Sequence, residues 1–424
     1  MNMPLFSLFN LYVDGLRDGS QCLVYNTVSN GAVVLPSRDG KPVLDGLGER
    51  QISALLDMMI IVPSREWEGK LVRYWLNRVR FGQTSLAVTV FTTRRCNLEC
   101  TYCYERHEHV GAPEGDMSLD TAERVARWIG RYVTSRGLRK VHLTFYGGEP
   151  LCNVPCILLI CDSVAAVCKD LGISYQTYLI TNGVLASAGI IGDLKRHNLT
   201  QVQVTLDGPP SVHDLRRRHR SGTGSFNETL RGLKNVSSVC SAVVRCNVDQ
   251  DTIDSVDSLL GILANEGLAN RKNLFAVANT YDCESGCGMV GHRSWVENSA
   301  KIMRKAKALG FGLRNPFKVS PCFGVREGSF AFDVDGAVYT CSQMAGIRSA
   351  QVGDVSIDRL AETYYDLLLT NPLSPECYVC SYLPICLGGC RANVVRRGLE
   401  LGTRLCRKDE FGDLVPPLLK VLFE

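Results

Sequence analysis

Residues 85–106 read SLAVTVFTTRRCNLECTYCYER, a β-branched apolar run that leads straight into three cysteines. Cys96, Cys100 and Cys103 are spaced C-x3-C-x2-C. Four ligands would suit a tetrahedral zinc ion, and two would suit a redox pair. A 4Fe–4S cube offers another count: three thiolates bind three irons and leave the fourth open to a non-protein ligand. On spacing alone, a zinc loop completed by His107 or His109 remains open.

Outward from this stretch the chain alternates strand and helix. LDTAERVARWIGRYV (119–133) has helical spacing, and KVHLTFY (140–146) reads as the next strand. A helix at 156–171, SYQTYLI (174–180), a helix at 186–196 and QVQVTL (201–206) follow. A helix at 226–238, AVVRCNV (242–248), a helix at 252–265 and NLFAVAN (273–279) complete the series. Six strands alternating with helices predict an α/β fold, a partial (β/α)6 TIM-like barrel open on one side. The cysteine loop then lies at the C-terminal strand ends, where such barrels place their active sites.

Residues 1–85 predict a small α+β domain. QCLVYNTV (21–28) and GAVVLP (31–36) are β-rich runs joined by a hairpin signal at Ser29-Asn30-Gly31. ERQISALLDMMI (49–60) and EWEGKLVRYWLNRV (66–79) have helical spacing. The barrel is expected over 86–290, a bridging helix within 291–316 and a cysteine-rich domain over 317–424. In that last region GSFAFDVDGAVYTC (328–341) predicts a hairpin turning at Asp335-Gly336.

The composition is that of a soluble globular protein, with 45% hydrophobic and 21% charged residues. A net charge of +4 over 424 residues gives no reason to expect nucleic acid or a membrane surface. No apolar run is read as reaching the roughly 18 residues that span a bilayer. The first residues lack a basic leader and a cleavage site, so a cytoplasmic protein is expected. In a reducing compartment, nineteen cysteines point to metal or redox chemistry rather than disulfides. Cys152, Cys156, Cys161, Cys168, Cys240 and Cys246 have apolar neighbours and read as small buried hydrophobes. The basic run HDLRRRHRSG (213–222) reads either as a solvated loop or as a contact to an acidic peptide or cofactor carboxylate.

The cysteine loop, with Tyr102 before its last cysteine, resembles the signature of radical S-adenosylmethionine enzymes. Three further stretches match that family in order: Tyr146-Gly147-Gly148-Glu149-Pro150, Thr181-Asn182-Gly183 and Asp207-Gly208, each closing a strand. The resemblance runs from about Ser85 to Asn279. It implies that S-adenosylmethionine occupies the open iron. One electron from the cluster then cleaves it to methionine and a 5′-deoxyadenosyl radical that abstracts a substrate hydrogen. It implies that Gly147, Gly148, Glu149 and Pro150 meet the cofactor's ammonium, and that Thr181, Asn182 and Asp207 meet its ribose and methionine. Arg245 and Asn247 close the fifth strand within reach, and Tyr102 packs over the cluster.

The tail resembles the SPASM domain that follows the barrel in many members of the family. By that resemblance Cys377, Cys380, Cys386 and Cys406 bind one auxiliary 4Fe–4S cluster. Cys322, Cys341 and Cys390 bind three irons of a second, for three clusters in all. Cys283 or Cys287 closes the second, or its fourth iron takes a substrate thiolate, or both are plain loop cysteines.

An enzyme is therefore expected, working with a flavodoxin- or ferredoxin-like electron donor on a precursor peptide or protein. Three functions compete. The first is maturation of a ribosomally made peptide by a thioether or carbon–carbon cross-link, with residues 1–85 resembling domains that hold a leader peptide as an added strand. The second is oxidation of a sulfatase residue to formylglycine. Enzymes of that kind carry an aspartate after the second tail cysteine, where this chain has Ser342. The third, an iron–sulfur electron carrier, gives no reason for a cofactor pocket.

Overall fold

The structure is a computed structural model that describes residues 4–16, 20–103, 105, 113–279, 293–313, 322–357 and 359–424. His107, His109, Cys283 and Cys287 lie outside the described residues.

Six parallel strands stand in chain order across one sheet: β1 (Ser85–Thr93), β2 (Lys140–Gly147), β3 (Ser174–Thr181), β4 (Leu199–Thr205), β5 (Ser241–Val248) and β6 (Leu274–Asn279). This is the partial barrel that the alternating pattern predicts. Side-chain alternation explains its two surfaces. On β2, Val141, Leu143 and Phe145 are fully buried, while His142, Thr144 and Tyr146 line the lumen. On β4, Val202 and Val204 are buried and Gln201, Gln203 and Thr205 face inward. The lumen is therefore polar.

The helices Leu119–Arg136, Val154–Asp170, Ala188–Arg196, Phe226–Val239 and Val256–Asn265 connect successive strands. The first shows why they stop and start where they do. Ser118 caps it by accepting from the Thr121 amide at 3.0 Å, and Gly137 ends it in a left-handed conformation. One expectation is corrected here. Pro150–Asp170 is apolar and long enough to cross a bilayer by length and composition. It packs instead against the helix Leu119–Arg136, burying Cys156, Ile157, Ile160, Cys161, Val164 and Cys168. The cysteines read as small hydrophobes are indeed buried, except Cys152, which is half-buried beside Arg95 and Glu149.

Arg293–Leu309, expected as a bridge, continues the βα rhythm. It packs on β6 and is followed by Gly312–Leu313, which pairs parallel with β6. Its other side meets the C-terminal helix Lys408–Phe423. The predicted hairpin forms from Ser329–Phe332 and Ala337–Tyr339, and its first strand pairs parallel with β1. The cysteine-rich region thus extends the barrel sheet at its open edge, a link that alternation alone does not reveal.

The N-terminal residues build an antiparallel sheet from Asn10–Leu16, Gln21–Asn26 and Ala32–Arg38, followed by helices Glu49–Asp57 and Arg65–Phe81. The strand Asn10–Leu16 lies in a stretch read only for its lack of a leader signal. This module leans on the cysteine-rich region. Leu11, Val13, Leu23 and Tyr25 share a core with Leu414, Leu418 and Leu419 of the C-terminal helix, and Thr27 Oγ1 donates to the Ser381 carbonyl at 2.6 Å.

Candidate active site

A cavity of about 910 Å³ runs through the barrel lumen. Cys96, Cys100, Tyr102 and Cys103 line it, as do Gly147, Gly148, Thr181, Asn182, Arg245, Asn247 and Cys341. The loop after β1 thus opens into the same space as a cysteine of the tail.

The cysteine loop is held in place by main chain. Leu98–Cys100 pairs antiparallel with Arg217–His219, and the Thr101 amide donates to the Arg216 carbonyl at 3.0 Å. Within residues 213–222, Arg217–His219 form the strand against which the loop is built, while Arg218, Arg220 and the turn at Ser221-Gly222 are exposed to solvent. Arg217 is only 8% exposed. It donates to the Tyr102 hydroxyl at 2.6 Å and lies 3.8 Å from the Asp207 carboxylate. Tyr102 in turn donates to Asp207, and Asn247 Nδ2 donates to the Tyr102 hydroxyl at 3.2 Å. The Asn247 amide donates to the other Asp207 oxygen at 2.9 Å. Asp207 is fully buried and does not reach the cavity wall, so its place is to hold Tyr102 and Arg217. Sequence reading missed Arg217. A buried position cannot be told from a solvated one inside a run of five basic residues.

The glycines of the second strand end have a steric reason. A Cβ at Gly147 would collide with the Thr93 carbonyl, and one at Gly148 with the carbonyls of Arg94 and Arg95. Gly147 also has φ +134°, a conformation side chains rarely adopt. The Gly148 amide donates to the Thr93 carbonyl at 3.1 Å and the Glu149 amide to the Arg95 carbonyl at 2.8 Å. The close approach is thus to the root of the cysteine loop. The expectation that Glu149 offers its carboxylate to a cofactor ammonium does not match its placement. It is 0% exposed. It accepts from Thr181 Oγ1 at 2.7 Å, the Asn182 amide at 2.7 Å and the Leu151 amide at 3.1 Å. Pro150 is buried as well and starts a short 3-10 turn. Glu149 fastens the second strand end to the third, and so places Asn182. Asn182 Nδ2 donates to Asn97 Oδ1 at 2.8 Å and lies 3.7 Å from Cys96 Sγ.

Burial pushes the Cys96 thiol up to about 12, with Glu149 and the two neighbouring cysteines adding to the effect. Ligation as a thiolate would therefore release a proton. The Nδ2 of Asn97 and the Nε of Arg217 are buried without a hydrogen-bond partner. Three thiols on one loop, two orphaned donors beside them and an open lumen fit an iron–sulfur cluster with a polar, partly anionic ligand.

In the tail, burial raises the pKa of Cys322 and pushes that of Cys341 up to about 12, with Cys390 adding to both and Cys322 to the latter. Cys377, Cys380, Cys386 and Cys406 line a separate small pocket with Arg404 and Lys408. Cys377 is shifted downward: burial opposes this, but the Ser374 hydroxyl at 3.4 Å and Arg404 at 3.6 Å outweigh it. Gly389 lets the chain turn between Cys386 and Cys390, since a Cβ there would meet Leu405. Cys377, Cys380, Cys386 and Cys406 thus share one pocket, and of the other three Cys341 lines the barrel lumen. Among the described residues, no three His, Cys, Asp or Glu side chains are placed to hold a single metal ion.

His213 gives this region a pH dependence. The Asp207 amide donates to its Nδ1 at 3.3 Å, and its Nε2 faces Ser225 Oγ at 3.1 Å. Burial, and then Arg217, lower its pKa to about 3. The folded protein keeps the ring neutral, whereas the unfolded chain takes up a proton below about 6.5. This contribution to stability is complete above that value and is lost as pH falls. Between pH 7.5 and 5.5 it declines by about 1.4 kcal/mol. Urea midpoints at the two pH values are expected to show this loss, and His213→Gln is expected to remove most of it.

Residues 90–249 match the family model for the Radical SAM superfamily. Among curated proteins, the chain is 31% identical to a probable GTP 3′,8-cyclase of Methanopyrus kandleri, over 45% of this chain and 57% of that one. It is 28% identical to a serine-type anaerobic sulfatase-maturating enzyme of Bacteroides thetaiotaomicron, over 32% and 33%. The chain spans about half the length of the first curated relatives it matches. Among solved structures, anSMEcpe with bound AdoMet superposes with a TM-score of 0.60 at 18% identity, covering 80% of this chain and 99% of that one. SuiB of Streptococcus suis bound to S-adenosylmethionine superposes at 0.54 and 14%, covering 95% and 99%. At these identities the likeness shows the fold.

Proposed function

We propose that this chain, whose residues 90–249 form a radical S-adenosylmethionine domain, is an enzyme that modifies a peptide or protein substrate. One observation carries the reading: the cysteine loop and Cys341 of the tail line a single lumen. A substrate held there sits between the site of radical formation and an auxiliary cluster able to take an electron away.

Cys96, Cys100 and Cys103 would hold the radical cluster. Cys377, Cys380, Cys386 and Cys406 would hold one auxiliary cluster, and Cys322, Cys341 and Cys390 the other. When bound, the cluster and S-adenosylmethionine supply one-electron cleavage chemistry that ends in removal of a substrate hydrogen. The chain's own residues bind and orient. Gly147 and Gly148 present main chain to the lumen, Thr181 and Asn182 border the cluster loop, and Arg245 with Asn247 closes the fifth strand end. Arg245 Nε donates to Asn247 Oδ1 at 2.8 Å, which fixes both side chains.

The product proposed is a thioether or carbon–carbon cross-link in a ribosomally made peptide. Formylglycine formation is the second reading, favoured by the sulfatase-maturating relative. Against it, Ser342 occupies the position after Cys341 and lines the lumen. The one carboxylate among the described lining residues, Glu105, is paired with Arg94. No free carboxylate base for deprotonating a hydroxyl or thiol substrate then stands among the described lining residues. A cytoplasmic setting and a small flavin or iron–sulfur electron donor go with the proposal.

Co-expression with a candidate precursor peptide, such as any short open reading frame found beside the gene, followed by mass spectrometry, tests it. The expected result is loss of two hydrogens per cross-link. An unmodified peptide from protein that cleaves S-adenosylmethionine would overturn the cross-linking reading.

A further inference from the structure

The lumen has a second end, away from the cysteine loop. His142 lies five residues before Gly147 on β2, about 16 Å down the strand. It stands in register with Ala87 of β1, and Ala87 with Ser329 of the neighbouring strand. All three line the cavity, and the small alanine leaves room between the other two. Arg326, three residues before Ser329, lines the same wall.

Arg326 is only 8% exposed, and its guanidinium lies 4.8 Å from the centre of the Phe323 ring. Its Nε is buried without a hydrogen-bond partner. Among the described residues no carboxylate reaches it. The contrast with its neighbours is informative. Arg217, in the same cavity, faces Asp207, and Arg94 is held by Asp333 and Glu105. Burial works against the charge of Arg326, and the Cys322 thiol is the one group that offsets it. A buried guanidinium with no carboxylate to pair with its fork is a costly arrangement that a bound carboxylate relieves.

We propose that Arg326, His142 and Ser329 form a subsite that takes a carboxylate of the peptide substrate, from an acidic side chain or the C-terminus. This rests on the peptide-modifying reading above. The charge count favours a carboxylate over a phosphate dianion: one guanidinium balances one negative charge. His142, whose protonation burial opposes, and the Ser329 hydroxyl add hydrogen-bond donors. The Arg fork fits two carboxylate oxygens at once. The subsite would fix the substrate at the far end of the lumen and so select which of its carbons faces the cysteine loop.

Calorimetry on the reconstituted full chain tests this with four probes: N-acetylglutamate α-methylamide, its glutamine counterpart, N-acetylalanine and N-acetylalaninamide. One or both carboxylates are expected to bind, and the neutral partners are not. Which carboxylate binds distinguishes a side chain from a C-terminus. Arg326→Gln is expected to weaken binding about 10- to 100-fold. Arg326→Lys should fall between, since it keeps the charge and loses the fork. Equal binding of acid and amide, no heat from any probe, or an unchanged affinity in Arg326→Gln would each overturn the proposal. So would an Arg326→Gln variant that loses iron and keeps the carboxylate preference, because the guanidinium would then serve Cys322 alone. S-adenosylmethionine cleavage without substrate is measured separately. Its failure would sink the enzymatic reading and leave the calorimetric answer standing.

Discussion

Cys100→Ala is expected to abolish 5′-deoxyadenosine formation by the reconstituted, reduced protein while leaving the fold intact. The second half follows from local structure. Cys100 pairs with Arg217 in a two-stranded ladder, and alanine keeps every main-chain hydrogen bond there. A half-buried surface change of this size shifts stability by less than about 1 kcal/mol. The first half follows from the ligand count. With two thiols left on the loop, the proposed cluster would lose the geometry that keeps one iron open. The variant is expected to hold about a third less iron, one cluster of three. Cys380→Ala makes the contrast. It changes a cysteine of the separate pocket proposed to hold an auxiliary cluster, so cleavage uncoupled from substrate modification is expected to survive in part. Wild-type cleavage in Cys100→Ala would refute the ligand assignment.

The barrel was legible because its strands alternate so regularly. A lumen-facing Thr, Gln or His between two fully buried apolar residues is a local signal; β2 carries it from Val141 to Phe145, and β4 from Val202 to Val204 after a break at Thr200-Gln201. The grouping of Cys96, Cys100 and Cys103 at one mouth of the lumen was legible for a related reason, since side chains on one short loop are close in sequence. Contacts across the chain were not. Nothing in SFAF marks it as a partner for β1, because a short buried strand fits any sheet edge of matching depth. Glu149 illustrates the limit at a single residue. Its type suits an ammonium, yet the donors that take it belong to Leu151, Thr181 and Asn182, and only the register of β2 against β3 brings the last two near. Arg326 was passed over because a lone arginine in a loop is ordinarily solvated, and its burial depends on three separate strands.

Arg94→Met is expected to destabilise the protein by about 3–5 kcal/mol, the cost of leaving a buried charge without its partner. Arg94 follows β1 directly. Its Nε and Nη2 donate to the two oxygens of Asp333 at 3.0 and 2.6 Å, and its Nη1 donates to Glu105. The guanidinium also lies 4.4 Å from the centre of the Phe91 ring. Burial works against its charge, but the two carboxylates outweigh that and raise its pKa. Asp333 is fully buried and also accepts from the Val334 amide at 2.8 Å, at the turn of the hairpin. Neutralising the stranded carboxylate should therefore recover part of the loss. Arg94→Met with Asp333→Asn is expected to be more stable than Arg94→Met alone, and guanidinium midpoints measured anaerobically would show the order. A shift below about 1 kcal/mol in the single variant would mean that water reaches these carboxylates and the bridge is effectively a surface one. The effect should reach past stability. The hairpin that carries Asp333 runs between Cys322 and Cys341, and Arg94 stands two residues before Cys96. One guanidinium thus fixes the root of the cysteine loop against the segment joining two tail cysteines. Its loss is expected to lower iron retention at both ends of the lumen together.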